Sequence, residues 1–99
     1  MAAPKRVDWT FEALEELANI HDAVQQRWSP DMAERFLGLV SQFEDLVAKY
    51  PNGFRASTTN PSLRLGIIHR TVLAVYRVDP DRVLVISLIH ARADNSRFL

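Results

Sequence analysis

The sequence predicts an α+β fold: a short N-terminal strand, an antiparallel hairpin of two helices, then three antiparallel strands forming a sheet packed against the helices. Three observations predict it. As far as Tyr50 the apolar residues recur at helical spacing, whereas from Leu63 they gather in short runs rich in Val, Ile and Leu, which suit a pleated strand. Ser29-Pro30 interrupts the helical pattern and leaves room only for a tight connection. Asp79-Pro80-Asp81-Arg82 places turn chemistry between the last two apolar runs. One domain over residues 1–99 is expected from this length.

Each element has its own local reason. Residues 5–9 alternate polar and apolar side chains and read as a brief strand, after which Thr10 can cap a helix. From Phe11 the positions Leu14, Leu17, Ala18, Val24 and Trp28 form an apolar stripe, and Glu12, Glu15 and Glu16 sit near the N-terminal end, where the helix dipole favours carboxylates. Ser29 then caps a second helix with Pro30 at its first position. Ala33, Phe36, Leu37, Val40, Phe43, Val47 and Tyr50 are its expected buried stripe, and Pro51-Asn52-Gly53 ends it, with Gly53 able to take a left-handed turn. Residues 54–62 read as an exposed loop. Strands follow at 63–69, 71–78 and 83–89, the last apolar enough to be central and buried on both faces, while Gly66 marks either a bulge or a close backbone approach. A single N-terminal strand could pair at either edge of this sheet.

Composition removes several classes of function. The chain has no cysteine, so disulfides and thiolate metal sites are unavailable, and its three histidines have no close helical spacing that would make a zinc site. No cofactor or metal is expected. No apolar run reaches the roughly 20 residues of a membrane helix, and residues 1–7 lack a secretory apolar region, so no membrane partner and a cytoplasmic location are expected. The net charge is zero, with Glu and Asp concentrated before Tyr50 and most arginines after it. A protein that works by neutralising many phosphates is usually basic overall.

Several segments together resemble a known family. Residues 29–37, the helix end Tyr50-Pro51-Asn52-Gly53, Arg64, the run Val75-Tyr76-Arg77-Val78-Asp79 and the ending Ile89-His90-Ala91-Arg92-Ala93-Asp94 are similar, in this order, to the RelE/ParE superfamily of type II toxin–antitoxin toxins, and closer to its ParE-type members. The resemblance implies a RelE/ParE-like fold and a toxin that causes growth arrest or stabilises a plasmid. It implies a cognate antitoxin that neutralises the toxin in a hetero-oligomer. It also implies one of two targets: ParE-type chains inhibit DNA gyrase without a known catalytic constellation, and RelE-type chains cut messenger RNA on the ribosome. A third reading is an inactive, antitoxin-binding member.

Metal-free RNA cleavage needs a base for the ribose hydroxyl and cations for the developing charge. Lysines and arginines on the sheet supply these in RelE-type chains. Here the only lysines are Lys5 and Lys49, Leu73 stands three residues before Tyr76 where an arginine is expected, and Phe98 stands where a phenol would serve. A nuclease would have to recruit His90 or His69 with Arg64, Arg77 and Arg92, and gyrase inhibition is therefore the favoured reading. For target or antitoxin binding the candidates are Arg64, Arg77, His90, Arg92, Arg97 and Phe98. The plainer alternatives are surface ion pairs of the arginines with Asp79, Asp81 or the helix glutamates, a strand-end hydrogen bond for His90, and a solvated position for His69. His21 reads as half-buried packing, and Trp9 and Trp28 as core or hairpin-junction residues. Tyr76 and Arg77 are neighbours on a strand and must point to opposite faces, Tyr76 inward; register decides whether the arginines share one.

Overall fold

The computed structural model describes residues 3–92. Its elements are β1 (Arg6–Trp9), α1 (Phe11–Arg27), α2 (Pro30–Lys49), β2 (Leu63–His69), β3 (Val72–Val78) and β4 (Arg82–His90). The strands form one sheet in the order β1-β4-β3-β2, with β1 parallel to β4 and the other pairs antiparallel. The N-terminal strand thus pairs at the β4 edge.

Two side chains at the start of α1 make that edge work. The Thr10 hydroxyl accepts from the Ala13 amide at 3.1 Å as a helix cap and donates to the Ile86 carbonyl at 3.0 Å, so one group starts the helix and ties it to β4. Beyond the end of β1, Glu16 takes over: its carboxylate accepts from the Ser87 hydroxyl at 3.0 Å and from the Leu88 amide at 3.2 Å. A strand edge that would otherwise expose an unpaired amide is closed by a helix carboxylate. Lys5 has a similar task, its ammonium donating to the carbonyls of Asp79 and Pro80 in the β3–β4 turn.

The helices cover one face of the sheet. Phe36, Val40, Phe43 and Val47 of α2 meet Ile68, Ala74, Tyr76 and Val85 in a single buried cluster. Phe43, Phe54 and Tyr76 pack as an aromatic trio with ring centroids 6.0–6.4 Å apart. Gly66 lies beneath this trio, where a β-carbon would overlap the Phe43 ring. Close approach, not a bulge, is its role, since the register shifts lie at Ile67/His69 and Val75/Tyr76. Leu63, Leu65, Val75 and Ile89 form a second buried cluster on the opposite face, so the inner strands are buried on both sides.

Four expectations are corrected. The inward stripe of α1 is Ala13, fully buried, with Leu17, Ile20 and Val24 half-buried, while Leu14 and Ala18 face solvent on a different side of the helix. Tyr50 is 64% exposed, since the chain turns away at the helix end before that position reaches the core. Gly53 is not left-handed; its amide closes the turn on the Tyr50 carbonyl at 3.0 Å with an ordinary backbone. The segment after it is not a simple exposed loop: Phe54 joins the core, Ser57 is buried, and Ala56 bridges Arg64 as a stub of a fifth strand.

Candidate functional site: a groove under the hairpin tip

The tip of the helical hairpin carries more apolar surface than the sheet can cover. Ile20 and Val24 of α1 and Phe36 and Leu39 of α2 face Val72 and Leu88 across an open groove of about 830 Å³, within the range of about 300–1,000 Å³ usual for binding clefts. Trp28 and Met32 stand at its tip, 73% and 42% exposed. Trp28 is therefore a hairpin-junction residue and not a core residue. The Ser29-Pro30 restart is too short to fold it inward: Ser29 is committed to capping Met32, and Trp28 is the C-cap of α1.

Polar groups join this apolar lining: Arg35 from α2, His69 at the end of β2, Arg70 from the β2–β3 turn, His90 at the end of β4, and Glu16 and Asn19 from α1. In register His69 pairs with Val72 and Val72 with His90, so both imidazoles flank one groove residue. His69 is oriented locally by its 2.9 Å contact with the Thr71 hydroxyl, and His90 accepts from the Arg92 amide at 3.1 Å.

Two of the predicted site residues, Arg64 and Arg77, do not converge. Arg64 pairs with Tyr76 and Arg77 with Leu63, which puts the two arginines on opposite faces of the sheet. The Arg64 guanidinium donates to the Phe54 carbonyl at 2.7 Å and holds the turn after α2, beside the Tyr76 hydroxyl that donates to the Pro51 carbonyl at 2.8 Å. Burial pushes the Tyr76 phenol up, with the Arg64 charge acting the other way. Arg77 is bidentate to Asp79, at 2.8 and 3.1 Å. Of the predicted binding residues His90 lines the groove, as does His69, the alternative base; Arg92 is exposed just beyond it, and Arg97 and Phe98 lie outside the described residues. Sequence reasoning passed over Arg35, Arg70 and Met32. The available signal was Trp28 within a two-residue helix junction and Met32 in the first turn after it, where neither can be sheltered by the hairpin.

Arg77 belongs to a surface ladder of alternating charge, Arg6–Asp8–Arg82–Asp79–Arg77, with the ion-pair distances between 2.8 and 3.5 Å. Hydrogen bonding from Arg77, and then from Arg82, holds the Asp79 carboxyl below the usual range despite some desolvation. At Asp8 desolvation pushes upward, and the hydrogen bonds from Arg6 and Arg82 outweigh it. Both depressed carboxyls favour the folded state above their unfolded values, and this contribution fades as pH falls through the folded ones. Thermal stability should therefore be level near neutrality and decline below about pH 4. Asp79→Asn should flatten that acid limb in a pH series of melting curves; an unchanged limb would show that the ladder contributes nothing.

Among the described residues no group of three or more His, Asp or Glu is placed to hold a metal, and no helix is long and apolar enough to cross a membrane. A short strand, a helical hairpin and three antiparallel strands make up the RelE/ParE-like fold. The sequence matches the family model of the ParE toxin of type II toxin–antitoxin system, parDE, over residues 7–95. The chain belongs to the ParE toxin family.

Solved structures agree in fold. The chain is similar to one from the chromosomal ParDE toxin–antitoxin system of P. aeruginosa, with 16% identity and a TM-score of 0.74 over 90% of this chain and 98% of that one. It is also similar to a conserved hypothetical protein of Helicobacter pylori, with 13% identity and a TM-score of 0.56 over 88% and 94% of the two chains. No curated protein matches it in sequence.

Proposed function

We propose that this toxin inhibits DNA gyrase and that a cognate antitoxin neutralises it by laying an amphipathic segment into the groove under the hairpin tip. The observation that supports the target reading is that Arg64 and Arg77, the sheet arginines an RNA-cleaving site would recruit, lie on opposite faces. On the sheet face away from the helices, Leu63, Leu65, Leu73, Val75, Ile86 and Ile89 form an apolar cluster, Arg77 is held by Asp79, and Arg64 is turned to the other face. Proton transfer and charge stabilisation require groups within hydrogen-bond reach of one reacting phosphate. Binding and inhibition require only a surface.

The groove supports the antitoxin reading. An apolar floor flanked by Arg35, Arg70, His69 and His90 suits a helix with apolar residues at three- and four-residue spacing and acidic residues beside them. Such a segment can be disordered alone and fold on the toxin.

Parallel assays test the target. Purified toxin is expected to abolish supercoiling by gyrase at stoichiometric ratio and to leave messages on translating ribosomes uncut. Intact supercoiling together with cleaved messages would replace this reading with a ribosome-dependent endoribonuclease. Normal growth on expression without antitoxin would mark an inactive family member.

A further inference from the structure

We infer that the target-contacting surface of this toxin is the outer stripe of α1 formed by Phe11, Leu14 and Ala18, and that it fits a protein surface whose apolar pocket is bordered by lysine or arginine. The inference rests on the toxin reading above and adds where the target is held. Phe11 is 77% exposed and Leu14 48%, and Ala18 is exposed as well. Their i, i+3, i+7 spacing stacks them along one side of the helix. The fold has no use for this second stripe, because Ala13, Leu17, Ile20 and Val24 already face the core or the groove. Leu14 occupies the fourth helical position, where a residue commonly packs against the one preceding the cap, here Trp9, yet half its surface stays open. Phe11 has no such assignment.

The charge beside the stripe selects the partner. Glu12, Glu15 and Asp22 are exposed along α1, and the helix carries no lysine or arginine before Arg27. Among the described residues Glu12 and Glu15 make no ion pair, and the neighbour of Asp22 is His21, at 3.7 Å. Carboxylates around an apolar stripe repel phosphates, so the surface disfavours nucleic acid itself and favours a protein with a basic border. Glu16, Ile20 and Val24 of the same helix line the groove, whereas none of the stripe residues does. A segment seated in the groove therefore leaves the stripe uncovered by its direct contacts, and the two surfaces can be disabled separately.

The test expresses the full chain from an inducible promoter without antitoxin, as wild type, as Phe11→Ser/Leu14→Ser and as Glu15→Lys/Asp22→Lys. Both double variants change exposed residues and are expected to keep the circular dichroism spectrum of the wild type, while growth arrest is lost and colony counts return to those of an empty vector. The charge variant keeps the test decisive if the apolar one does not fold. A folded variant that arrests growth as the wild type does, or a wild-type chain that arrests no growth, overturns the proposal. Wild-type arrest with gyrase untouched overturns the gyrase reading alone, because the growth readout does not depend on which protein is bound.

Discussion

Gly66→Ala is expected to destabilise the protein by about 1–3 kcal/mol, the usual cost of forcing an extra carbon into a packed core. The added carbon would overlap the Phe43 ring, and two further atoms of that ring lie 3.2 Å from its position. Phe43 cannot yield easily, being 3% exposed and wedged between Phe54 and Tyr76. For a domain of this size a loss of 1 kcal/mol lowers the melting temperature by roughly 4–8 °C. Phe43→Ala should cost more, about 3–5 kcal/mol, because it leaves a cavity in the same place. The informative comparison is Gly66→Ala with Phe43→Leu: a smaller side chain makes room for the methyl group, so the double variant should be more stable than the sum of the singles predicts. Simple additivity in urea titrations would show that the two positions do not meet.

Trp28→Ser should have the opposite profile, with a large effect on binding and almost none on folding. Trp28 is 73% exposed at the mouth of the groove, and exposed substitutions usually change stability by less than about 0.5 kcal/mol. If the groove receives the antitoxin, this indole is its natural anchor, and truncating a central aromatic commonly costs 2 kcal/mol or more, about 30-fold in affinity. Calorimetric titration of the purified toxin with its cognate antitoxin checks this. Unchanged affinity would place the antitoxin elsewhere on the surface. Arg35→Glu should weaken the same complex and reverse part of its salt dependence, since Arg35 lines the groove.

These two positions also show how far the sequence could be read. Gly66 stood out as a glycine inside a strand, which left a bulge and a close approach equally open; only the seating of α2 on the sheet brought Phe43 over it. Trp28 stood out as a tryptophan beside a helix junction, which left a core and a junction position both open; only the packing of the hairpin on the sheet left it 73% exposed. Two of the candidate arginines, Arg64 and Arg77, do not share a face for a related reason. Arg64 and Arg77 were legible as strand residues, but the face each occupies depends on pairing register, and the pairs Arg64–Tyr76 and Arg77–Leu63 put them on opposite sides.

The elements themselves were determined locally. Thr10 and Ser29 cap helices because their hydroxyls reach amides three residues on, Pro30 starts α2 because its ring presets the backbone, and the β-branched runs become strands because they fill a pleated surface. Such interactions span a few residues and can be read from the chain in order. The tertiary structure alone decided that β1 lies parallel to β4, that Glu16 closes the β4 edge, and that the hairpin tip leaves a groove while α1 leaves an apolar stripe exposed. Each joins residues far apart in sequence or depends on how elements tilt against one another, and an apolar period marks which residues prefer burial without specifying what remains to bury them.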